Sequence, residues 1–340
     1  MYKNQGGFTL IELMIGLVLG LLIVAAGLSV FISGQRSLTL QTGMGELQEN
    51  ANFGLGLLAH DLRLTNLNTV SSQIVNNKAS GAGIIFSKDN LPSSLSSVST
   101  DYFTKQNKDT SATNISSDQL TIQYIPQYST IVKPTPCTPS SADSACKETA
   151  TGSGKYLKDI TWYIFDGVDC EGNRLEFEQK RVIVQRYFLK QDSYQIPRQP
   201  TVYGLYCDSG NYIDSESVIA GMGANAQQIM QRIDAFNIRL GVQLPNRQSM
   251  RYATVDQYIT LMPASLKDTT QFLNVSSVEV GVLARSTTPL TMESMIDNGK
   301  TFNLVGNALT LSADQQKGGK FLREEFSQVV AFRNTLGTSE

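Results

Sequence analysis

The most prominent pattern in the chain is one continuous apolar stretch near its N-terminus. Residues 8–32 read FTLIELMIGLVLGLLIVAAGLSVFI, which is 25 residues with a single charged side chain, Glu12. About 20 apolar residues are enough to cross a bilayer, so this stretch predicts one tilted membrane-spanning helix. Only seven residues precede it, and Lys3 with the initiator amine makes them positive. The N-terminus is therefore expected in the cytoplasm and the rest of the chain in the periplasm.

A second apolar pattern extends this helix beyond the membrane. Apolar residues recur every three or four positions, which is the spacing of one helix face. The residues on this face are Met44, Leu47, Ala51, Leu55, Leu58 and Leu62. They predict a single helix from Phe8 to about Leu64, roughly 85 Å long at 1.5 Å per residue. Residues 8–32 form its membrane part, and residues 33–66 form an amphipathic continuation that packs against a globular head.

Short alternating runs replace the helical pattern after about residue 67. Val278, Val280 and Val282 show the clean alternation of a half-buried strand. The predicted strands are Gln119–Ile125, Lys158–Phe165, Arg181–Leu189, Val202–Cys207, Phe236–Leu244, Tyr252–Leu261 and Ser276–Arg285. Residues 321–334 are predicted to end as a strand that begins near Phe326, and Ala226–Ile233 is predicted as a short helix.

The fold class that follows is α+β, with one long N-terminal helix packed on a head of largely antiparallel β-sheet. The head occupies residues 67–340. Two segments within it, near residues 87–118 and 133–156, are rich in Ser, Thr, Lys and Asp. They are predicted as long surface loops inserted into the head.

Four cysteines follow the membrane segment, namely Cys137, Cys146, Cys170 and Cys207. Three pairings are possible, and an even number on the exported side predicts disulfides formed in an oxidising compartment. The favoured pairing joins the first two cysteines, which closes a short Pro/Ser/Thr loop, and then the last two. Chain-entropy models assign roughly 3 kcal/mol to the short loop and about 4 kcal/mol to the longer one. Four reduced thiols in a cytosolic protein are the alternative.

Charge and composition argue against nucleic-acid binding and against catalysis. The chain has 28 Lys and Arg against 30 Asp and Glu, a net charge of −2 without a basic block that would follow phosphates. Its single histidine, His60, lies on the amphipathic helix next to Asp61, where a solvated or capping role is expected. One histidine and four paired cysteines leave too few ligands for zinc. No cofactor is expected, because the glycine pairs do not form a phosphate-binding motif.

One acidic segment, DGVDCEGN, contains Asp166, Asp169, Glu171 and Asn173. Calcium needs several oxygen ligands around one loop, but the spacing here is not that of an EF-hand. The segment is therefore expected to be a turn stabilised by its own Asp and Asn side chains, with an ion site as the alternative.

The residues Gly7-Phe8-Thr9-Leu10-Ile11-Glu12, followed by the apolar helix, resemble the type III signal of type IV prepilins and pseudopilins. The resemblance covers residues 6–32. It implies that a prepilin peptidase cuts between Gly7 and Phe8, removes the leader of residues 1–7, and methylates the new amine of Phe8. A secretory signal peptide is the first alternative, although its apolar segment is only 7–15 residues long and is discarded. An uncleaved membrane anchor is the second.

Glu12 is the costly residue of the membrane helix. A carboxylate in hydrocarbon costs at least about 2.5–3.5 kcal/mol on insertion scales, so a partner is expected. The resemblance implies that Glu12 pairs with the Phe8 amine of a neighbouring subunit and sets the stagger between subunits. The alternative is a carboxyl that snorkels to the headgroups or is protonated. Gly16 and Gly20 form a GxxxG pattern, which permits close helix contact.

Three further short sequence segments resemble the PilW family of minor type IV pilins. This family is related to the J-type minor pseudopilins of type II secretion. The three segments are LQEN at 47–50, LLAHDLR at 57–63 and VVAFRN at 329–334. The resemblance implies a non-enzymatic subunit of the inner membrane that then enters the pilus. It primes pilus assembly, sits at the pilus tip, and contacts other minor pilins, the major pilin and a tip adhesin.

Two other functions remain open at this stage. One is a minor pseudopilin of a type II secretion system, and the other is a single-span periplasmic binding protein. In an assembled filament, the glycines of the helix are expected to permit a bend or local melting near residues 43–45.

Overall fold

The computed structural model describes residues 7, 9–71, 73–106, 115, 117–139, 145–150, 152–245, 249–290, 296–297 and 299–335. The chain begins with one helix, α1 (Leu10–Leu64), of 55 residues. This confirms the predicted single helix, although Phe8 lies outside the described residues. The helix is continuous through residues 43–45 in the single chain, and the bend expected there in a filament stays a prediction.

The head contains fourteen described strands and one short helix. In chain order they are β1 (Gln119–Tyr124), β2 (Tyr128–Pro136), β3 (Lys147–Glu148), β4 (Tyr156–Phe165), β5 (Glu176–Phe177), β6 (Val182–Gln191), β7 (Tyr203–Tyr212), β8 (Gln227–Met230), β9 (Ile233–Gln243), β10 (Met250–Ala253), α2 (Val255–Leu261), β11 (Asn274–Arg285), β12 (Phe302–Leu304), β13 (Asn307–Leu309) and β14 (Arg323–Ala331). Two four-stranded sheets dominate, with strand orders β1-β6-β7-β8 and β10-β9-β11-β14. All their pairings are antiparallel, which confirms the predicted α+β class.

Both sheets and the second half of α1 share one hydrophobic core. Leu47, Leu55, Leu58 and Leu62 of the predicted helix face are buried in it. The helix packs against β8, β11 and β14. The alternating valines of β11 face the same core, as their period of two requires.

Two sequence predictions in the head are wrong. Tyr252–Leu261 is not a strand, because Thr254 and Gln257 form a capping box that starts α2 directly after β10. Ala226–Ile233 is not a helix, because residues 227–230 form β8 at the edge of the first sheet. Strand pairing with β7 overrides the local helical tendency there.

The segment 87–118 is only partly a surface loop. It contains three short 3₁₀ turns, and four of its apolar side chains are buried in a second core cluster against β6 and β7. These side chains are Leu91, Leu95, Val98 and Phe103. Residues 107–114 and 116 of this prediction lie outside the described residues.

The prediction of a loop over residues 133–156 is also wrong in part. Its first residues complete β2, which pairs along nine residues with β4 and forms, with β3 and β5, a small separate sheet that we call the arm. Most side chains of β2 are exposed, so the arm is thin and has little core of its own. Cys137 and Cys146 are joined next to the ends of β2 and β3, with Cα atoms 5.9 Å apart.

The second disulfide joins Cys170, which follows the arm strand β4, to Cys207 of β7, with Cα atoms 6.0 Å apart. Both favoured cysteine pairings are therefore confirmed. The first disulfide closes a loop at one end of the arm, and the second ties the turn after β4 to the main sheet.

Two prolines lie on the free edge of the arm. The N–H of Cys137 donates to the carbonyl of Tyr156, so every second residue of β2 counted back from Cys137 bonds to β4. The intervening residues, which include Pro134 and Pro136, direct their backbone groups to the open edge. A proline at such a position offers no N–H to a foreign strand, which protects the edge from pairing.

Two asparagines fasten α1 to the head by polar contacts. Asn50 donates its Nδ2 to the carbonyl of Gln231 at 2.8 Å and accepts the N–H of Gln231 at 3.1 Å. Asn334, at the C-terminal end of the head, donates to the carbonyls of Arg63 at 3.2 Å and Thr65 at 3.0 Å. Arg63 lies in the last turn of the helix and Thr65 is its C-cap, so neither carbonyl has a partner within the helix. Asn334 is therefore a cap supplied from 270 residues away in sequence.

We predict that Asn334→Ala lowers the free energy of unfolding by about 1 kcal/mol, because a helix end loses its hydrogen-bond donor. Urea denaturation of the detergent-solubilised chain measures the change. Arg333→Ala, at the exposed neighbouring position, is the matched control. Equal stability of the two variants would contradict the capping role.

We also predict that replacing Pro134 and Pro136 together by threonine promotes self-association, because two backbone N–H groups then become available at the edge of the arm. Size-exclusion chromatography with light scattering should show a larger share of dimers and higher oligomers than wild type. Pro92→Thr, which lies outside the sheets, controls for the loss of a proline. A double variant that elutes like Pro92→Thr would speak against edge protection.

Candidate assembly site

The first part of α1 is not covered by the head. Every residue from Leu10 to Thr39 is exposed, and the first buried residue of the helix is Gly43. These 30 residues span roughly 45 Å at 1.5 Å per residue. Within the described residues, α1 is the one helix that is long and apolar enough to cross a membrane. With the N-terminal motif reported below, this surface indicates anchoring in the inner membrane.

Glu12 lies in the first turn of this uncovered helix. Its Oε2 accepts the N–H of Thr9 at 3.1 Å and the hydroxyl of Thr9 at 2.9 Å. The hydroxyl of Thr9 in turn accepts the N–H of Glu12 at 3.4 Å, which completes a capping box. The spacing Thr-x-x-Glu is a sequence signal for this cap.

The cap does not neutralise the carboxylate of Glu12. Among the described residues, no lysine or arginine forms an ion pair with it. Gly7 is described and exposed, but Phe8 lies outside the described residues. The predicted cleavage between them, the methylation of Phe8 and its pairing with Glu12 therefore stay predictions.

Gly16 and Gly20 leave an open surface on the helix. A side chain at either position would meet no atom of this chain within 4 Å. Small residues of this kind let another helix approach closely in a membrane. The surface is therefore available for helix contact, in contrast to Gly54, where a Cβ atom would lie 1.9 Å from Cγ of Met230.

The last turns of α1 contact the head through a buried carboxyl, Asp61. The hydroxyl of Tyr187, which is fully buried, donates to Oδ2 of Asp61 at 2.7 Å. Burial raises the pKa of Asp61, and the hydrogen bond from Tyr187 opposes this only in part. His60 is exposed, and its Nδ1 lies 3.1 Å from Oδ1 of Asp61.

The acidic segment 166–173 forms a turn held by its own side chains. Oδ1 of Asp169 accepts the N–H groups of Glu171 at 3.0 Å and Asn173 at 2.8 Å. Oε1 of Glu171 accepts the N–H of Ser209 at 2.9 Å, which anchors the turn to β7. The expected Asp- and Asn-stabilised turn is therefore confirmed.

The raised pKa of Asp61 predicts that the stability of the fold depends on pH. A folded pKa above the ordinary value of 3.8 means that ionisation of Asp61 opposes folding. The neutral carboxyl of Asp61 therefore contributes its full stabilisation at pH values below 3.8, and this stabilisation is lost as the pH rises through the raised pKa. We predict that Asp61→Asn, which cannot ionise, gains stability relative to wild type as the pH rises. Melting temperatures measured from acid to neutral pH test this, with Asp159→Asn on the exposed arm as control.

Two family models match this chain. The model described as Type IV Pilus-assembly protein W matches residues 186–334, and the model described as Prokaryotic N-terminal methylation motif matches residues 2–28. Among solved structures, a type IV-like pilin from Thermus thermophilus is similar over 85% of this chain and 98% of that chain, at 10% identity and a TM-score of 0.35. No curated protein gives a significant match.

The two family matches cover the N-terminal motif and the C-terminal half of the head. The methylation-motif match contains Gly7, Phe8 and Glu12, and the PilW match ends at Asn334, the cap of α1. The arm, residues 128–177, lies outside both matches. The chain therefore combines a match to the N-terminal methylation motif at its start with a C-terminal region that is similar to the family described as Type IV Pilus-assembly protein W.

Proposed function

We propose that this chain is a minor pilin, cut between Gly7 and Phe8, methylated on Phe8, and built into a type IV pilus through its N-terminal helix. The observation that carries the proposal is the long uncovered part of α1. From Leu10 to Ile32 its one charged residue is Glu12, and the first buried residue of the helix, Gly43, lies beyond this stretch. The positively charged leader favours a cytoplasmic N-terminus and a periplasmic head.

Glu12 is the residue through which the membrane helix contacts a neighbouring subunit. In lipid its carboxylate needs a cation, and cleavage before Phe8 creates an amine on the neighbouring subunit. Pairing of these two groups compensates both charges and sets the axial position of one helix against the next. The capping contacts with Thr9 do not replace this ion pair, because Thr9 contributes no positive charge to the carboxylate of Glu12.

Within the pilus, the chain primes assembly in a complex with other minor pilins and occupies the tip. A large head with an additional arm is easier to place at an end than around a shaft, where neighbours pack on all sides. Its head there contacts other minor pilins and a tip adhesin. The family match describes a pilus-assembly protein, which favours the pilus over a type II secretion system.

Mass spectrometry of sheared pili tests the class of protein. The expected result is a mature chain that begins at Phe8 and carries an N-terminal methyl group. A chain that keeps residues 1–7 and stays in the cell membrane when pili are sheared off would contradict the proposal and favour a single-span binding protein. Loss of secreted enzymes on deletion, with pili intact, would favour a pseudopilin.

We predict that Glu12→Ala reduces the amount of this chain in sheared pili roughly tenfold or more, because the neighbour's amine then has no counter-charge in lipid. Immunoblots of sheared and membrane fractions measure the distribution. Glu49→Ala removes an exposed carboxyl from the second half of the same helix and serves as the matched control. Equal incorporation of both variants would exclude the pairing of Glu12.

A further inference from the structure

A cavity of about 670 Å³ lies between the end of α1 and the base of the arm. We call it the junction groove. Leu57 and Leu64 of α1, Ile229 of β8, and Phe165 and Val168 at the base of the arm contribute apolar walls. Leu58 and Tyr187, which are fully buried, also line it and form its floor. The groove is therefore a deep, mostly apolar depression.

The apolar surface continues outside the groove. Leu57 is 43% exposed and Val168 is 53% exposed at the rim. Phe53, four residues before Leu57 and thus on the same side of α1, is 66% exposed. An exposed apolar surface of this extent, next to a cavity, is typical of a contact with another macromolecule rather than of a small-molecule pocket.

The charge of the groove is one-sided. Three carboxylates line it, those of Asp61, Asp166 and Asp169. Among the described residues, no lysine or arginine lines the groove, and its one basic group is the imidazole of His60, which lies beside Asp61. Asp169 is engaged in its turn, whereas Asp166 is exposed and accepts the hydroxyl of Ser129 at 2.7 Å. A complementary partner therefore presents a cation next to an apolar side chain.

The groove is preorganised. The disulfide between Cys170 and Cys207 fixes its arm side to β7, and the Asp169 turn holds the adjacent backbone. A rigid site loses little conformational entropy when a partner binds. The walls are therefore in place before any contact forms.

We propose that the junction groove docks the head of a neighbouring, non-identical pilin subunit, which inserts an apolar side chain flanked by a lysine or arginine. This inference rests on the proposed function and names the head contact that accompanies assembly of the helices. A symmetric contact with a second copy would place Asp166 against Asp166, and like charges oppose each other. Lipid does not fit either, because anionic headgroups would face carboxylates.

The position of the groove along the helix also fits a subunit contact. Leu57 lies 25 residues beyond Ile32, the end of the apolar stretch. At 1.5 Å per residue this is about 37 Å from the membrane part of the helix. A contact at this height joins heads, whereas Glu12 joins helices.

Photo-crosslinking in piliated cells tests the inference with the full-length chain. A benzoylphenylalanine residue is placed at position 168, and at position 218 as control, because Val218 is 60% exposed and does not line the groove. The expected result is a crosslink from position 168 to a different pilin subunit, at a peptide with Lys or Arg next to the crosslinked residue. Position 218 should not crosslink to that peptide.

Two substitutions provide a second measurement. Val168→Asp is expected to lower the amount of the chain in sheared pili roughly tenfold relative to Val218→Asp, because a charge then enters an apolar contact. Asp166→Lys should likewise reduce crosslinking from position 168 relative to Asp159→Lys on the arm. Unchanged melting temperatures of the variants show that the fold is retained.

The outcomes separate this inference from the proposed function. If the mature chain enters pili but Val168→Asp enters as well as Val218→Asp, the groove inference fails and the minor-pilin function stands. A crosslink to a second copy of this chain, or to lipid alone, also overturns it. If the wild-type chain is absent from pili, the proposed function fails, and a crosslink from position 168 to another pilin subunit in the membrane still supports the groove.

Discussion

One helix has to satisfy two environments, and the rest of the structure follows from that constraint. In lipid, a helix meets all its own backbone hydrogen bonds, so the first 30 residues of α1 need no cover from the head. From Gly43 onward the same helix supplies one wall of the hydrophobic core. The head must therefore hold the second half firmly while leaving the first half free. Asn50 and Asn334 contribute to this hold by bonding to backbone groups that a purely apolar contact would leave unpaired.

The arm and the segment 87–118 extend the head, and each is stabilised in a different way. The arm has little core, so its stability depends on strand pairing, on a disulfide near its end and on a second disulfide at its base. Its free edge carries prolines where an N–H would otherwise be offered. The segment 87–118 instead gains stability by burying four apolar side chains against the first sheet. The arm and the segment 87–118 both enlarge the surface of the head, and the core that packs against the helix stays intact.

Assembly through such a subunit involves two kinds of contact with different physics. In lipid, apolar surface does not favour helix association over contact with acyl chains, so in the proposed pilus the charge of Glu12 and the small residues Gly16 and Gly20 would decide specificity. In water, apolar burial contributes strongly, and in the proposed head contact the carboxylates around the junction groove would select a cationic partner. The two proposed contacts lie at opposite ends of one continuous helix.

Much of this protein was determined by local sequence signals. The uninterrupted apolar stretch, the helical spacing from Met44 to Leu62 and the alternating valines of β11 each predict an element without reference to the fold, because their periods of 3.6 and 2 are local. The motif around Gly7 and Glu12 and the disulfide pairings were likewise predictable, the latter from loop length and order along the chain. Most predicted strands match within a few residues for the same reason.

Tertiary structure alone decided the features that join distant segments. Residues 227–230 form a strand because they pair with the edge of β7. The prediction missed β2 because residues 137–155 separate this strand from its partner β4. The cap by Asn334 and the contact of Asp61 with Tyr187 join residues separated by 271 and 126 positions. No local period reports such separations, and the junction groove exists only because α1, β6, β8 and the base of the arm meet there. The sequence by itself determined the helix and its chemistry, whereas the surface that the head presents to partners depends on how the chain folds back on that helix.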